Sequence, residues 1–137
     1  MNERIHASGH EHVSATHDST FEVTSDDYLT PAGDCILGIE ADRVPADFDE
    51  SFVAACQDHD ATITATLEAD GHTQTIVGSG HPEMTFTNER SIVARTSDYV
   101  DDRTVMVGAD AAAGDLDRDL VEALAAGADL TLTLTVE

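Results

Sequence analysis

The chain has 137 residues, enough for one domain with a buried core, and its 41% hydrophobic content excludes a disordered chain. It carries 28 acidic residues against six arginines and no lysine, a formal net charge of -22, which argues against phosphate-backbone binding through clustered cations. No apolar run reaches membrane-span length and no signal-peptide pattern opens the chain, so the expectation is a soluble, cytoplasmic protein with no membrane partner. Such a charge density repels itself unless salt near molar shortens the Debye length to roughly 3 Å. The composition is that of a halophilic archaeal protein, and its carboxylates read first as solvated surface.

In chain order, residues 4–8 alternate as a short strand that Gly9 ends. Residues 12–24 carry strand chemistry, with Val13, Ala15, Phe21 and Val23 at period two. Thr30-Pro31-Ala32-Gly33-Asp34 is a loop, and residues 35–40 form a continuous apolar strand. Asp47 is placed to cap a helix running to about Gln57, with Glu50 in capping-box position. Residues 61–67 alternate Thr with apolar side chains, the clearest strand of this half, and Asp70-Gly71 marks a hairpin.

The second half follows the same plan. Ile5-His6-Ala7-Ser8-Gly9-His10 returns as Ile76-Val77-Gly78-Ser79-Gly80-His81, and Thr87, Asp98 and Tyr99 answer Thr16, Asp27 and Tyr28. After a three-residue deletion, Ala109-Asp110 answers Ala41-Asp42, Leu116 and Leu120 answer Phe48 and Phe52, and residues 130–136 repeat the Thr-alternating strand. The expectation is one mainly β domain over 1–137, a sandwich or barrel-like fold with two short helices. Two fused repeats, about 3–70 and 74–137, pack about a pseudo-twofold axis in it.

Differences between the halves then point to chemistry. His12 faces Glu83, His17 faces Asn88, Glu22 faces Val93 and Cys35 faces Arg103. His10 and His12 share one side of an extended strand, as metal ligands would, and with His17 make the candidate set for a divalent transition metal. A hydrogen-bonded or surface role for these histidines is the simpler reading. The leading function is a small-molecule or metal-binding module whose pocket gathers His10, His17, Glu22 and His81 at the seam, with Cys35, Arg103 and Asp110 as further ligand contacts. Asp42 and Asp110 could pair across the axis, although loop-capping roles are as simple. Gly78-Ser79-Gly80-His81 reads as a two-glycine turn rather than a phosphate loop, since no helix start or Lys follows. Cys35 and Cys56 lack metal-knuckle or redox spacing and read as packed residues. One alternative is an enzyme with His10 or His17 as general base and Cys35 as nucleophile. Another is an RNA- or translation-associated protein acting through Arg90, Arg95, Arg103 and Arg118. Ligand identity and oligomeric state stay open.

Gly9-His10 with Val13, Thr16-His17 and Phe21-Glu22-Val23-Thr24 resembles the opening of the archaeal domain-of-unknown-function family 371. Leu29-Thr30-Pro31, Gly33-Asp34-Cys35-Ile36, Gly80-His81-Pro82, Arg103-Thr104 and Ala109-Asp110 extend that resemblance over nearly the whole chain. It implies a mainly β sandwich or barrel-like fold and no established activity. Arg95-Thr96 and Asp110-Ala111 stand where a more basic patch is expected, which withdraws support from a nucleic-acid reading.

Overall fold

Threonine alternating with apolar residues builds the centre of the first sheet. In the computed structural model, which describes residues 1–137, β4 (Thr62–Ala69) and β8 (Asp129–Val136) lie antiparallel with Thr64 opposite Thr135 and Thr66 opposite Thr133. The β-branched threonines face solvent, while Ile63, Ala65, Leu67, Leu130, Leu132 and Leu134 are buried on the other side. β1 (Asn2–Ser8) adds beside β8 and β5 (His72–Ser79) beside β4, giving the order β1-β8-β4-β5. The second sheet is β3-β2-β6-β7, from β2 (Thr20–Thr24), β3 (Ile36–Gly38), β6 (Ser91–Arg95) and β7 (Thr104–Met106). Its central pair is antiparallel and its outer pairs are parallel.

Phe21, Val23, Ile92 and Ala94 point from the second sheet toward the first, and 35 buried residues from both sheets and both helices form one core. Single bridges, Ser8 with Ile39 and Ser79 with Val107, join the sheets at two corners, so the sandwich is barrel-like. The helices α1 (Glu50–Cys56) and α2 (Arg118–Ala125) follow the same short 3-10 turn in each half. The expected fold class is therefore observed: mainly β, two sheets, two short helices.

Three local expectations need correction. Val13 and Ala15 are buried, but regular pairing begins only at Thr20. Ala15 has a left-handed φ of 49°, and the N–H groups of Thr16 and His17 both donate to the Asp34 carbonyl, so this stretch alternates in burial without being a strand. The apolar run 35–40 yields only the three-residue β3, with Cys35 outside it. The cap of α1 is Asp49, whose carboxylate accepts from the Ser51 N–H at 2.8 Å. Asp47 is occupied one turn earlier, accepting from the Val44 N–H at 3.0 Å.

Contacts recur at matched positions of the two halves. Asp42 accepts from the His6 N–H at 2.9 Å, and Asp110 from the Val77 N–H at 3.0 Å. In return, the N–H of each aspartate donates to the carbonyl of the same residue, so each imitates a neighbouring strand along an open sheet edge. Asp42 and Asp110 thus seal opposite edges, β1 and β5, and form no carboxylate pair.

Candidate functional site

The Ser-Gly-His segments run beneath helix ends. A side-chain carbon on Gly9 would meet the Leu124 carbonyl oxygen at 2.1 Å, and one on Gly80 would meet that of Cys56 at 2.1 Å. Gly78 and Ser79 belong to β5, so the second segment is a strand passing under the end of α1 and not a two-glycine turn. The following histidine folds back on its own chain. His10 Nδ1 accepts from the His12 N–H and His81 Nδ1 from the Glu83 N–H, both at 3.0 Å.

His10 and His81 do not converge. Ser8 lies opposite Asp129 at one end of the first sheet. Ser79 lies opposite Thr62, at the end where Ile63 faces Val136. Eight residues of strand and three strand spacings separate the two corners, roughly 26 Å by 14 Å. The shared imidazole pocket is thereby corrected: His10 lies tilted against His12 at 5.2 Å, and His81 meets His59 edge to face at 4.7 Å, at separate helix ends. No group of three or more His, Cys, Asp and Glu is placed to hold a metal, and His10, His12 and His17 are not gathered into one.

His17 is also a turn-former. Its Nδ1 accepts from the N–H groups of Ser19 and Thr20, both at 3.2 Å. In the matched turn, Asn88 Oδ1 accepts from Arg90 and Ser91 N–H at 2.8 and 2.7 Å. Replacing His17 by Ala therefore leaves two donors without an acceptor and is expected to cost about 1–2 kcal/mol. His17→Asn is expected to retain most of that stability, as measured by urea unfolding.

Three nominated residues do meet, on the outer face of the second sheet. The central pairing runs Thr20–Arg95, Glu22–Val93, Thr24–Ser91, so its midpoint is Glu22 opposite Val93. Cys35 comes to Glu22 from beside β3, with its thiol donating to Glu22 Oε1 at 3.8 Å. Arg103, just before β7, reaches across Val93 and places Nη1 4.0 Å from the same oxygen. Parallel neighbours require crossovers, and the crossover after β6 supplies the group that organises the arginines. Asp101 Oδ2 accepts from Arg95 Nη2 at 2.9 Å and from Arg103 Nη2 at 2.9 Å and Nε at 3.2 Å. Asp101 Oδ1 accepts from the Arg103 N–H and the Thr104 hydroxyl. Tyr99 lies against the Arg95 guanidinium, 4.8 Å from ring centre to Cζ.

Burial would raise the Asp101 carboxyl, but the Arg103 bonds, the Arg95 charge and the Thr104 hydroxyl overcome it and hold it at about 2. The same Asp101 bonds raise Arg103 above its ordinary value. Cys35 moves the other way: burial, then the Glu22 charge, push its thiol up to about 11. A thiol held that high stays protonated near neutral pH, which lends no support to Cys35 as a nucleophile.

Asp101 and Thr104 were absent from the nominated site residues, and Arg95 was named only for the RNA reading. The Asp-x-Arg spacing, an aspartate whose carboxylate caps the N–H two residues on, was the available signal. Most of the four arginines named for the RNA reading are already engaged within the chain. Arg118 is bound to the carbonyls of Ala15, Ala113 and Leu116, Arg95 is buried, and Arg90 pairs with Asp26. The largest groove, about 550 Å³, lies elsewhere, beside Met1, Asn2 and Asp47. On its wall Arg43 and Glu3 satisfy each other at 2.6 Å. A smaller one of about 380 Å³ is lined by His6, Ser8, Glu40, Asp42 and Asp129. The Glu22–Arg103 cluster is thus a surface site rather than a cavity. No helix is long and apolar enough to cross a membrane.

Comparison with known proteins shows the family and names no activity. An uncharacterised protein of Methanocaldococcus jannaschii is 39% identical over 132 residues, covering 96% of this chain and 97% of its own. The family model described as Domain of unknown function (DUF371) matches residues 5–137, and the chain belongs to that family.

Proposed function

We propose that this protein is a small-ligand binding module whose contact groups lie on the outer face of the second sheet, around Arg103, Glu22 and Cys35. One observation carries the reading. Glu22 is mostly buried, yet its carboxylate has no hydrogen-bond partner closer than the Cys35 sulfur at 3.8 Å, with Arg103 at 4.0 Å. Neither contact is a short hydrogen bond, so the partly exposed carboxylate keeps acceptor capacity for a further partner. Arg103 supports the reading from the other side: Asp101 fixes Nε and Nη2, while Nη1 makes no hydrogen bond and the side chain is 35% exposed. The histidines are assigned to the architecture, and Cys35 acts as a neutral packing and donor group.

The test is a thermal-shift screen in about 2 M KCl, where surface charge is screened. The panel is nicotinamide, AMP, glutamate, citrate and inorganic phosphate. A compound present at about a hundred times its Kd adds about 2.7 kcal/mol of stability and raises Tm by several degrees. At least one is expected to do so for the native chain and not for Arg103→Ala. Equal shifts in both proteins, or none in either, would contradict the reading.

A further inference from the structure

The chemistry of the ligand can be narrowed, on the assumption that the outer-face site above is the binding site. Arg103 Nη1 and Glu22 Oε1 stand 4.0 Å apart, beyond hydrogen-bond length, with the neutral Cys35 thiol beside them. Nη1 offers two unused donors, and Glu22 Oε2 is an acceptor with no hydrogen-bond partner. A charged ligand satisfies only one of the two. An anion that bonds Nη1 meets the Glu22 carboxylate, with Asp101 just beyond. A cation that bonds Glu22 meets the Arg103 guanidinium, with Arg95 joined to it through Asp101. Neither flanking charge can step aside easily, because Asp101 clamps Arg103 through two nitrogens and strand pairing holds the Glu22 backbone. A neutral group that carries an acceptor next to an N–H satisfies both, its oxygen accepting from Nη1 and its N–H donating to Glu22 at about 2.9 Å each.

We infer that the site takes an uncharged carboxamide edge, as found in primary amides and in the lactam edges of heterocycles.

Three probes with one ring and different head groups test the inference on the native chain: benzamide, benzoate and benzylamine. Each is titrated into isotope-labelled protein in about 2 M KCl, and backbone amide shifts are followed. Benzamide is expected to move the Glu22, Cys35 and Arg103 signals at least about tenfold more tightly than the charged probes, a difference of about 1.4 kcal/mol. In Arg103→Met those benzamide shifts are expected to disappear while the remaining spectrum is retained. Benzoate or benzylamine binding there as well as benzamide overturns the carboxamide assignment and leaves the outer-face site standing. The assignment also fails if no probe moves these signals. Benzamide shifts confined to other surfaces reject both the assignment and the site.

Discussion

Gly80→Ala is expected to destabilise the protein by about 3 kcal/mol or more, with Gly9→Ala close behind. The new methyl carbon would sit 2.1 Å from the Cys56 carbonyl oxygen, with the Asp58 oxygen at 2.7 Å; at Gly9 the Leu124 and Ala128 oxygens stand at 2.1 and 2.9 Å. These are backbone atoms at the ends of helices, so no rotamer change relieves the clash. Either the helix end lifts from the sheet or the strand withdraws, and the bonds from Gly80 N to Ala61 O and His81 N to Cys56 O go with it. Gly71→Ala is the contrast. Its φ of 80° favours glycine but nothing approaches it, so about 1 kcal/mol is expected. Urea unfolding of the three variants separates close approach from backbone conformation. Similar losses at all three positions would contradict the packing argument.

The second large effect is at Asp101. Asp101→Asn is expected to cost about 2–3 kcal/mol near neutral pH. Removing one member of a buried ion pair costs about 3–5 kcal/mol, and Asp101 retains one-fifth of its side-chain exposure. The loss falls on Arg95, only 11% exposed, which keeps the Thr104 hydroxyl and the Tyr99 ring but no charge partner. The pH dependence follows from the carboxyl held at about 2 against an ordinary 3.8. A lowered folded-state value contributes stability above the ordinary value and loses it as pH falls through the folded one. The gap between native and Asp101→Asn proteins is therefore expected to be constant at neutral pH and to narrow from about pH 4 to about pH 2. Asp102→Asn, whose carboxylate accepts only from Asn88 at 3.4 Å, is expected to change stability by less than about 0.5 kcal/mol.

The fold class was legible because threonine alternation and the recurring element order speak directly to burial and chain direction. Strand limits were less legible. Val13 and Ala15 show that every second residue can be buried along a segment whose N–H groups bond a loop carbonyl rather than a strand. The convergence of His10 with His81 was misjudged for a geometrical reason. The most similar segments, around His10 and His81, attract attention, yet two matched segments come together only where strand pairing is centred. In the second sheet that centre is Glu22 opposite Val93, one of the positions at which the halves differ. Cys35 and Arg103, another such pair, approach it from β3 and β7. Asp101 was hidden because, among 28 acidic residues, its Asp-x-Arg spacing marks a local cap but not the partnership with Arg95.

The sharpest test is to map, by backbone amide shifts in concentrated KCl, the binding of whichever compound raises Tm most. Movement at Glu22, Val93, Cys35 and Arg103, with the His10 and His81 signals unmoved, is the predicted result. Movement centred on Gly9-His10 or Gly80-His81 would contradict it and return the function to the histidines.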